Sequence, residues 1–302
     1  MNLNKVKLAV IFLILANIIW GAAFPIYKLT LEVIPPFTFV FLRFFLGALI
    51  VLPFVYKNLK VKLKDWFTLI ILSFFGITLT ISFLNFGLNL SSSINAPIII
   101  SASPIILIIG SFFYLKEKLR RKIVFGTLVS FLGVLTIVLL PVFKEGLDGT
   151  VTGNLFLVFA TIFSVIHALL LKKILPKYSA LTIAFWSFII GSIPMIPFVM
   201  TEFNQTNWVG NLNQQTLLGL LFSVVLATSI AHFLFTFGIK HIKASEVGIF
   251  SYIDPIATII VAYYLLHEEI SLPYLIGAVF VFMGIFIAQG KIPYHPIQKL
   301  FK

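Results

Sequence analysis

Asp254 and Arg43 are full charges set inside long apolar runs, and His167 and His232 interrupt two more such runs. If the runs cross a membrane, a charge near the midplane costs roughly 2.5–3.5 kcal/mol on insertion scales, so groups of this kind mark an ion or substrate path unless a structural role holds them. The Asp254 carboxylate could take an ammonium group or a proton, Asp254 and Arg43 together suit a zwitterion, and either histidine could relay a proton. Each has a plainer reading. Asp254 could cap a helix segment broken at Pro255, Arg43 could snorkel outward to the headgroups, and each histidine could hydrogen-bond to a neighbouring helix.

Neutral hydrogen-bonding groups accompany them at Asn85, Asn95, Ser101, Ser103 and Tyr252, where the alternative is glue between helices. Trp20, Phe24 and Trp186 could stack on an aromatic or cationic ligand, although with 34 Phe in the chain most rings must face lipid or other helices. Pro104 and Pro255 each remove a backbone hydrogen bond and free the carbonyl four residues earlier, at Ile100 and Ser251. Pro97 adds a break close to Pro104. Such prolines either open a helix toward a site or kink it around a neighbour. The chain has no H-E-x-x-H, G-x-S-x-G or Walker motif and no cysteine, which argues against hydrolytic, ATP-driven or thiolate–metal chemistry and calls for no cofactor or metal. The expectation is a protein that is not an enzyme.

Composition says what must position these groups. At 60% hydrophobic and 11% charged residues, 302 residues cannot hide their apolar surface in one water-soluble core. A helix crossing roughly 30 Å of hydrocarbon needs about 20 apolar residues. Runs of that length predict ten helices, near 6–27, 36–56, 66–88, 94–115, 123–143, 152–172, 180–200, 215–238, 246–266 and 272–290. On these bounds Asp254 lies about 12 Å from one edge and Arg43 about 10 Å from the other. A secretory signal is the competing reading of the first run, but the run is long enough to span and has a counterpart later in the chain.

The net charge of +12 is a matter of topology. With the N-terminus inside, every Lys and Arg except Lys28, Arg43 and Lys144 falls at a cytoplasmic segment. That places both termini in the cytoplasm, brings the basic excess against anionic headgroups and needs no nucleic acid.

The chain also repeats itself. Phe86, Gly87, Ile98, Pro104 and Glu117 match Phe237, Gly238, Ile249, Pro255 and Glu268 at one offset; Lys28, Thr38, Phe41, Gly47 and Pro53 match Lys172, Thr182, Phe185, Gly191 and Pro197 at a slightly smaller one. A unit of five helices enters on one side and leaves on the other, so its second copy is upside down. Accordingly "KEKLRRK" is basic and its mate "HEEISLP" has no Lys or Arg. The expected fold is an all-α integral membrane protein of ten transmembrane helices in two inverted five-helix repeats, residues 1–146 and 147–302, forming one transmembrane domain.

"WGAAF" in the first helix, "FLRFFLGAL" in the second, and the paired "SPIILIIGSFFYLKEKL…GTLVSFLGV" and "DPIATIIVAYYLLHEEI…GAVFVFMGI" resemble the drug/metabolite transporter superfamily, EamA type, over nearly the whole chain. The resemblance implies a cavity lined mainly by helices 1, 3, 4, 6, 8 and 9 and a small-metabolite substrate. Helix 6, with "SVIHALL" opposite "WGAAFPI", departs from the pattern. The resulting expectation is a secondary transporter, in the export direction, of amino acids or related amines, driven by a proton or other ion gradient, by exchange, or by the substrate's own gradient. It would sit in a prokaryotic plasma or inner membrane as a monomer or homodimer. Uptake or exchange of a nucleotide sugar, nucleotide or quaternary amine, and a non-transporting scaffold or receptor, are the alternatives.

Overall fold

With no water in the hydrocarbon region, backbone amides and carbonyls must pair within the chain, and helices do so segment by segment. The computed structural model describes residues 3–103, 149–241, 250–251, 253–268 and 270–289, with isolated positions between 106 and 136, and every regular element among them is helical. In order these are α1 (Leu3–Leu31), α2 (Pro36–Val55), α3 (Leu63–Ser73), α4 (Thr80–Leu90), α5 (Asn95–Ile100), α6 (Gly149–Ile174), α7 (Ala180–Ser192), α8 (Ile196–Gln205), α9 (Gln214–Phe222), α10 (Ala231–His241), α11 (Ile253–Leu266) and α12 (Leu272–Gln289). Helices α3 and α4 join through a π turn, Phe74–Leu79, and α9 and α10 through another, Ser223–Ile230.

Among the described residues six spans are long and apolar enough to cross a membrane: Val6–Leu31, Pro36–Asn58, Leu63–Leu90, Thr150–Ile174, Ala180–Gln205 and Gln214–His241. They coincide with the expected helices 1, 2, 3, 6, 7 and 8. Helices α5, α11 and α12 are shorter and fall within the expected helices 4, 9 and 10; the expected helix 5 and the "KEKLRRK" loop lie almost wholly outside the described residues. Two proline expectations change. Helix α11 starts at Ile253, so Asp254 and Pro255 sit in its first turn rather than eight residues in. Pro97 likewise falls in the first turn of α5 rather than inside a helix. A first turn is where proline's missing N–H has no intrahelical acceptor to lose.

Helix α1 packs on α10 and α11, α4 on α6, and α2 on α7. The α2–α7 pair is tied at both ends. The Glu202 carboxylate, on α8, accepts from the Phe37 and Thr38 amides at 3.1 and 2.7 Å and from the Thr38 hydroxyl at 2.7 Å. It thereby caps a helix that opens on Pro35–Pro36 without a side-chain cap of its own. At the opposite end the Thr182 hydroxyl donates to the Asn58 carbonyl at 3.0 Å. Each π turn lies against a helix of this pair where that helix carries glycine, since a Cβ added to Gly47 would stand 2.8 Å from Thr228 Cγ2 and one added to Gly191 2.5 Å from Ile77 Cβ. Between the glycines Phe44 and Phe188 meet edge to face, centroids 5.4 Å apart.

Gly191→Val is expected to lower stability by about 1–3 kcal/mol, because the added methyls have no space beside Ile77. Unfolding of the purified variant in detergent measures it, and an unchanged melting temperature would contradict this packing.

Candidate functional site

The spans enclose a cavity of about 290 Å³. From α1 it receives Asn17, Trp20, Phe24 and Tyr27, which share one face by their spacing of three and four residues. Arg43 of α2 and Ser187 of α7 enter from the helix pair, His167 from α6, His232 from α10, and Ser103 and Asp254 close it from the segment after α5 and from α11. The lining therefore extends to α2 and α7, beyond the helices implied by the family resemblance.

Arg43 is 2% exposed, turned inward rather than toward headgroups. Its Nε donates to Thr228 Oγ1 in the second π turn at 2.6 Å, and its Cζ lies 4.3 Å from the Tyr27 ring centroid and 5.1 Å from that of Phe44. Asp254 is 5% exposed. Among the described residues the ion pairs are Lys28–Glu268 and Lys177–Asp65, so neither Arg43 nor Asp254 has an ionic partner there. Arg43 Nη1, Asp254 Oδ1, the Tyr27 hydroxyl and Ser187 Oγ are all buried without a hydrogen-bond partner, and all four residues line the one cavity. A buried polar atom left unpaired costs about 1–3 kcal/mol, and more when charged, so each of these four atoms weighs against stability.

Other expected residues have structural work. His232 Nδ1 lies 3.1 Å from the Ala227 carbonyl, which also accepts from Trp20 Nε1 at 2.9 Å; His167 Nδ1 lies 2.8 Å from the Leu72 carbonyl. The second π turn thus lends a carbonyl to two rings of the cavity wall, and the end of α3 lends one to a third. Asn85, Asn95, Ser101 and Trp186 are not in the lining. Asn85 Nδ2 reaches the Pro36 carbonyl at 3.4 Å, Asn95 Nδ2 bonds to Ser91 Oγ and Asn154 Oδ1, Ser101 Oγ bonds back to Pro97 O, and Trp186 Nε1 donates to Leu59 O at 2.9 Å. Tyr252 and Pro104 lie outside the described residues. Tyr27 and Ser187 are additions; Tyr27 was legible as the next position on the Trp20–Phe24 face, and Ser187 as the repeat mate of Arg43. Among the described residues no group of three His, Asp or Glu comes close enough to hold a metal ion.

One end of the assembly is tied by Glu268, just past α11. It accepts from Lys28 Nζ at 2.9 Å, Ser92 Oγ at 2.7 Å, Ser93 Oγ at 2.8 Å and the Ser93 amide at 3.1 Å, while Lys28 also donates to the Ser91 carbonyl. Burial pushes the Glu268 carboxyl up, and the hydrogen bonds from Lys28, Ser92 and Ser93 outweigh it, holding the group below the ordinary glutamate value. Three segments meet at this carboxylate. At the other end the cavity reaches Lys172, in the last turn of α6.

The model of the EamA-like transporter family matches residues 7–139 and again residues 151–289. The chain is similar to the uncharacterized transporter YetK of Bacillus subtilis, 28% identical over 94% of this chain and 87% of the relative. It is also similar to an uncharacterized transporter of Archaeoglobus fulgidus, 26% identical over 93% of this chain and 97% of that one. A crystal structure of a protein with 16% identity covers 93% of this chain and 97% of its own at a TM-score of 0.67, a likeness of fold.

Glu268→Gln is expected to lower the melting temperature at neutral pH. A carboxyl held low when folded contributes stability above its unfolded pKa of about 4.3 and loses it as pH falls through the folded value. Melting scans of wild type and variant from pH 7 to pH 3 should therefore converge at the acid end, and a gap that widens on acidification would contradict the tie.

Proposed function

The chain belongs to the EamA-like transporter family, and we propose that it is a secondary transporter that exports amino acids or related amines by alternating access through the central cavity. The observation that carries this reading is the Asp254 carboxylate, buried in the cavity wall with an oxygen that no protein group satisfies. A carboxylate so placed must be protonated, hydrated or paired with a cation, and each of these states suits a group that exchanges a proton or a substrate amine during a cycle.

Alternating access asks for two halves related by a two-fold axis in the membrane plane, and the contacts of α2 and α7 support such a relation. Thr38 and Thr182 are repeat mates at the starts of these helices, yet Thr38 bonds beyond the end of α7 and Thr182 beyond the end of α2. Mates that run antiparallel are mates turned upside down. The Phe44–Phe188 contact joins a residue to its own mate, as a two-fold axis passing between the two rings would require. This supports a division near residues 146 and 147 into two five-helix repeats, ten helices in all.

In the proposed orientation both termini are cytoplasmic, and the Glu268 tie closes the outer end while the cavity extends toward Lys172 at the basic, inner end. A cavity reached from inside loads the substrate for export. Rocking of the halves about the Phe44–Phe188 contact would break the Lys28–Glu268 tie and bring the loops around Asn58 and Thr182 together over the inner end. The energy would come from an ion gradient, from exchange, or from the substrate's own gradient.

Asp254→Asn keeps the side-chain shape and the helix start and removes the charge. In proteoliposomes loaded with a panel of radiolabelled amino acids and amines, it is expected to abolish transport while the purified variant melts within a few degrees of wild type. Transport equal to wild type across a range of external pH would leave Asp254 a structural residue and remove the observation on which the reading rests.

A further inference from the structure

The buried cation of the cavity poses a separate question from the buried anion. We propose that Arg43, flanked by Tyr27 and Ser187, is a seat for a carboxylate of the transported molecule, so that a substrate must bring an anionic as well as a cationic group. This rests on the transport reading and narrows its substrate class to zwitterions.

Arg43 is fully enclosed, and its guanidinium has no carboxylate within ion-pair distance among the described residues. The neutral contacts it does make, Nε to Thr228 and two ring faces, orient the guanidinium without neutralising it. Nη1 is left over, and in the same wall so are the Tyr27 hydroxyl and Ser187 Oγ. Donors gathered around an unpaired guanidinium form the donor set a carboxylate takes up, since its oxygens accept several hydrogen bonds at once.

The repeat separates this from a packing requirement. Ser187 is the mate of Arg43 and Ser103 the mate of Asp254, and all four line the cavity. At each mated pair one half has a charge where the other has a serine, so neither charge is demanded by the helix contacts that the halves share. The mate of Thr228 is Ile77, which can accept no such bond, so the Arg43–Thr228 bond likewise belongs to one half alone. The fold supplies one positive and one negative wall and pairs neither; a free amino acid supplies both missing charges, whereas a simple amine leaves the guanidinium bare. The rings of Trp20, Phe24 and Phe188 around them suit an apolar side chain.

The test uses the purified full chain and ligand-induced thermal stabilisation with phenylalanine and leucine, and with the amine and the carboxylic acid obtained from each by deleting the other charged group. Wild type is expected to be stabilised most by the amino acids. Arg43→Gln should weaken apparent affinity for the amino acids by about tenfold or more and abolish the response to the acids, while leaving the response to the amines. Tyr27→Phe, which leaves the Thr228 bond intact, should move the same ligands in the same direction by less, so the proposal stays testable if Arg43→Gln folds poorly. Equal loss of amines and acids in either variant, unchanged amino-acid affinity in both, or no stabilisation of wild type by any carboxylate-bearing probe would overturn the seat. Transport of a simple amine by wild type as fast as the parent amino acid would overturn the seat alone; tight amino-acid binding without transport would overturn the transport reading alone.

Discussion

The absence of water around the backbone governs the rest of this structure. Inside hydrocarbon every amide and carbonyl needs a partner in the chain, so each departure from a regular helix has to be covered by a neighbour. The two π turns are such departures. Their surroundings cover them: Thr80 and Ser229 bond back five residues, Thr78 donates to the Gly191 carbonyl, and Trp20 and His232 converge on the Ala227 carbonyl. Gly47 and Gly191 allow the turns to come this close. The places where the helices are least regular are therefore the places that meet the α2–α7 pair, and both π turns border the cavity wall.

The same constraint explains the treatment of buried polar side chains. Ser73, Thr161 and Ser223 are fully or nearly fully buried, and each spends its hydroxyl on a carbonyl one turn back, a bond available wherever serine or threonine sits in a helix. Asn95 Nδ2 donates to Asn154 Oδ1 from α5 to α6. Against that habit, four of the six buried polar side-chain atoms without a partner among the described residues, those of Arg43, Asp254, Tyr27 and Ser187, line one cavity, the other two being Asn85 Oδ1 and Trp208 Nε1. If the scaffold rocks as proposed, an asymmetric charge pattern on it would orient a small dipolar cargo.

Much of this was legible beforehand, for physical reasons. Apolar runs and basic loops revealed the spans because hydrocarbon thickness and positive-inside bias act on short stretches of sequence. Arg43 and Asp254 stood out because a charge in an apolar run has few structural excuses. Facing was not legible: Asn85, Asn95, Ser101 and Trp186 have the same composition signal as cavity residues, yet they lie outside the lining and donate to other protein groups. The π turns gave no sign at all, since "FFGITL" and "SVVLATSI" are ordinary helical text, and the starts of α5 and α11 moved because a proline fits a first turn better than a helix interior.

The central claim is that substrate crosses only if the Glu268 tie opens. Because the chain has no cysteine, Ser93→Cys with Glu268→Cys introduces the only two thiols, at residues whose contact is 3.1 Å from amide to carboxylate. In proteoliposomes, bridging these thiols with a short bifunctional reagent should stop transport in the double variant, leave both single variants unaffected, and be reversed when a reducible bridge is cleaved. Undiminished transport by fully bridged protein would contradict the account.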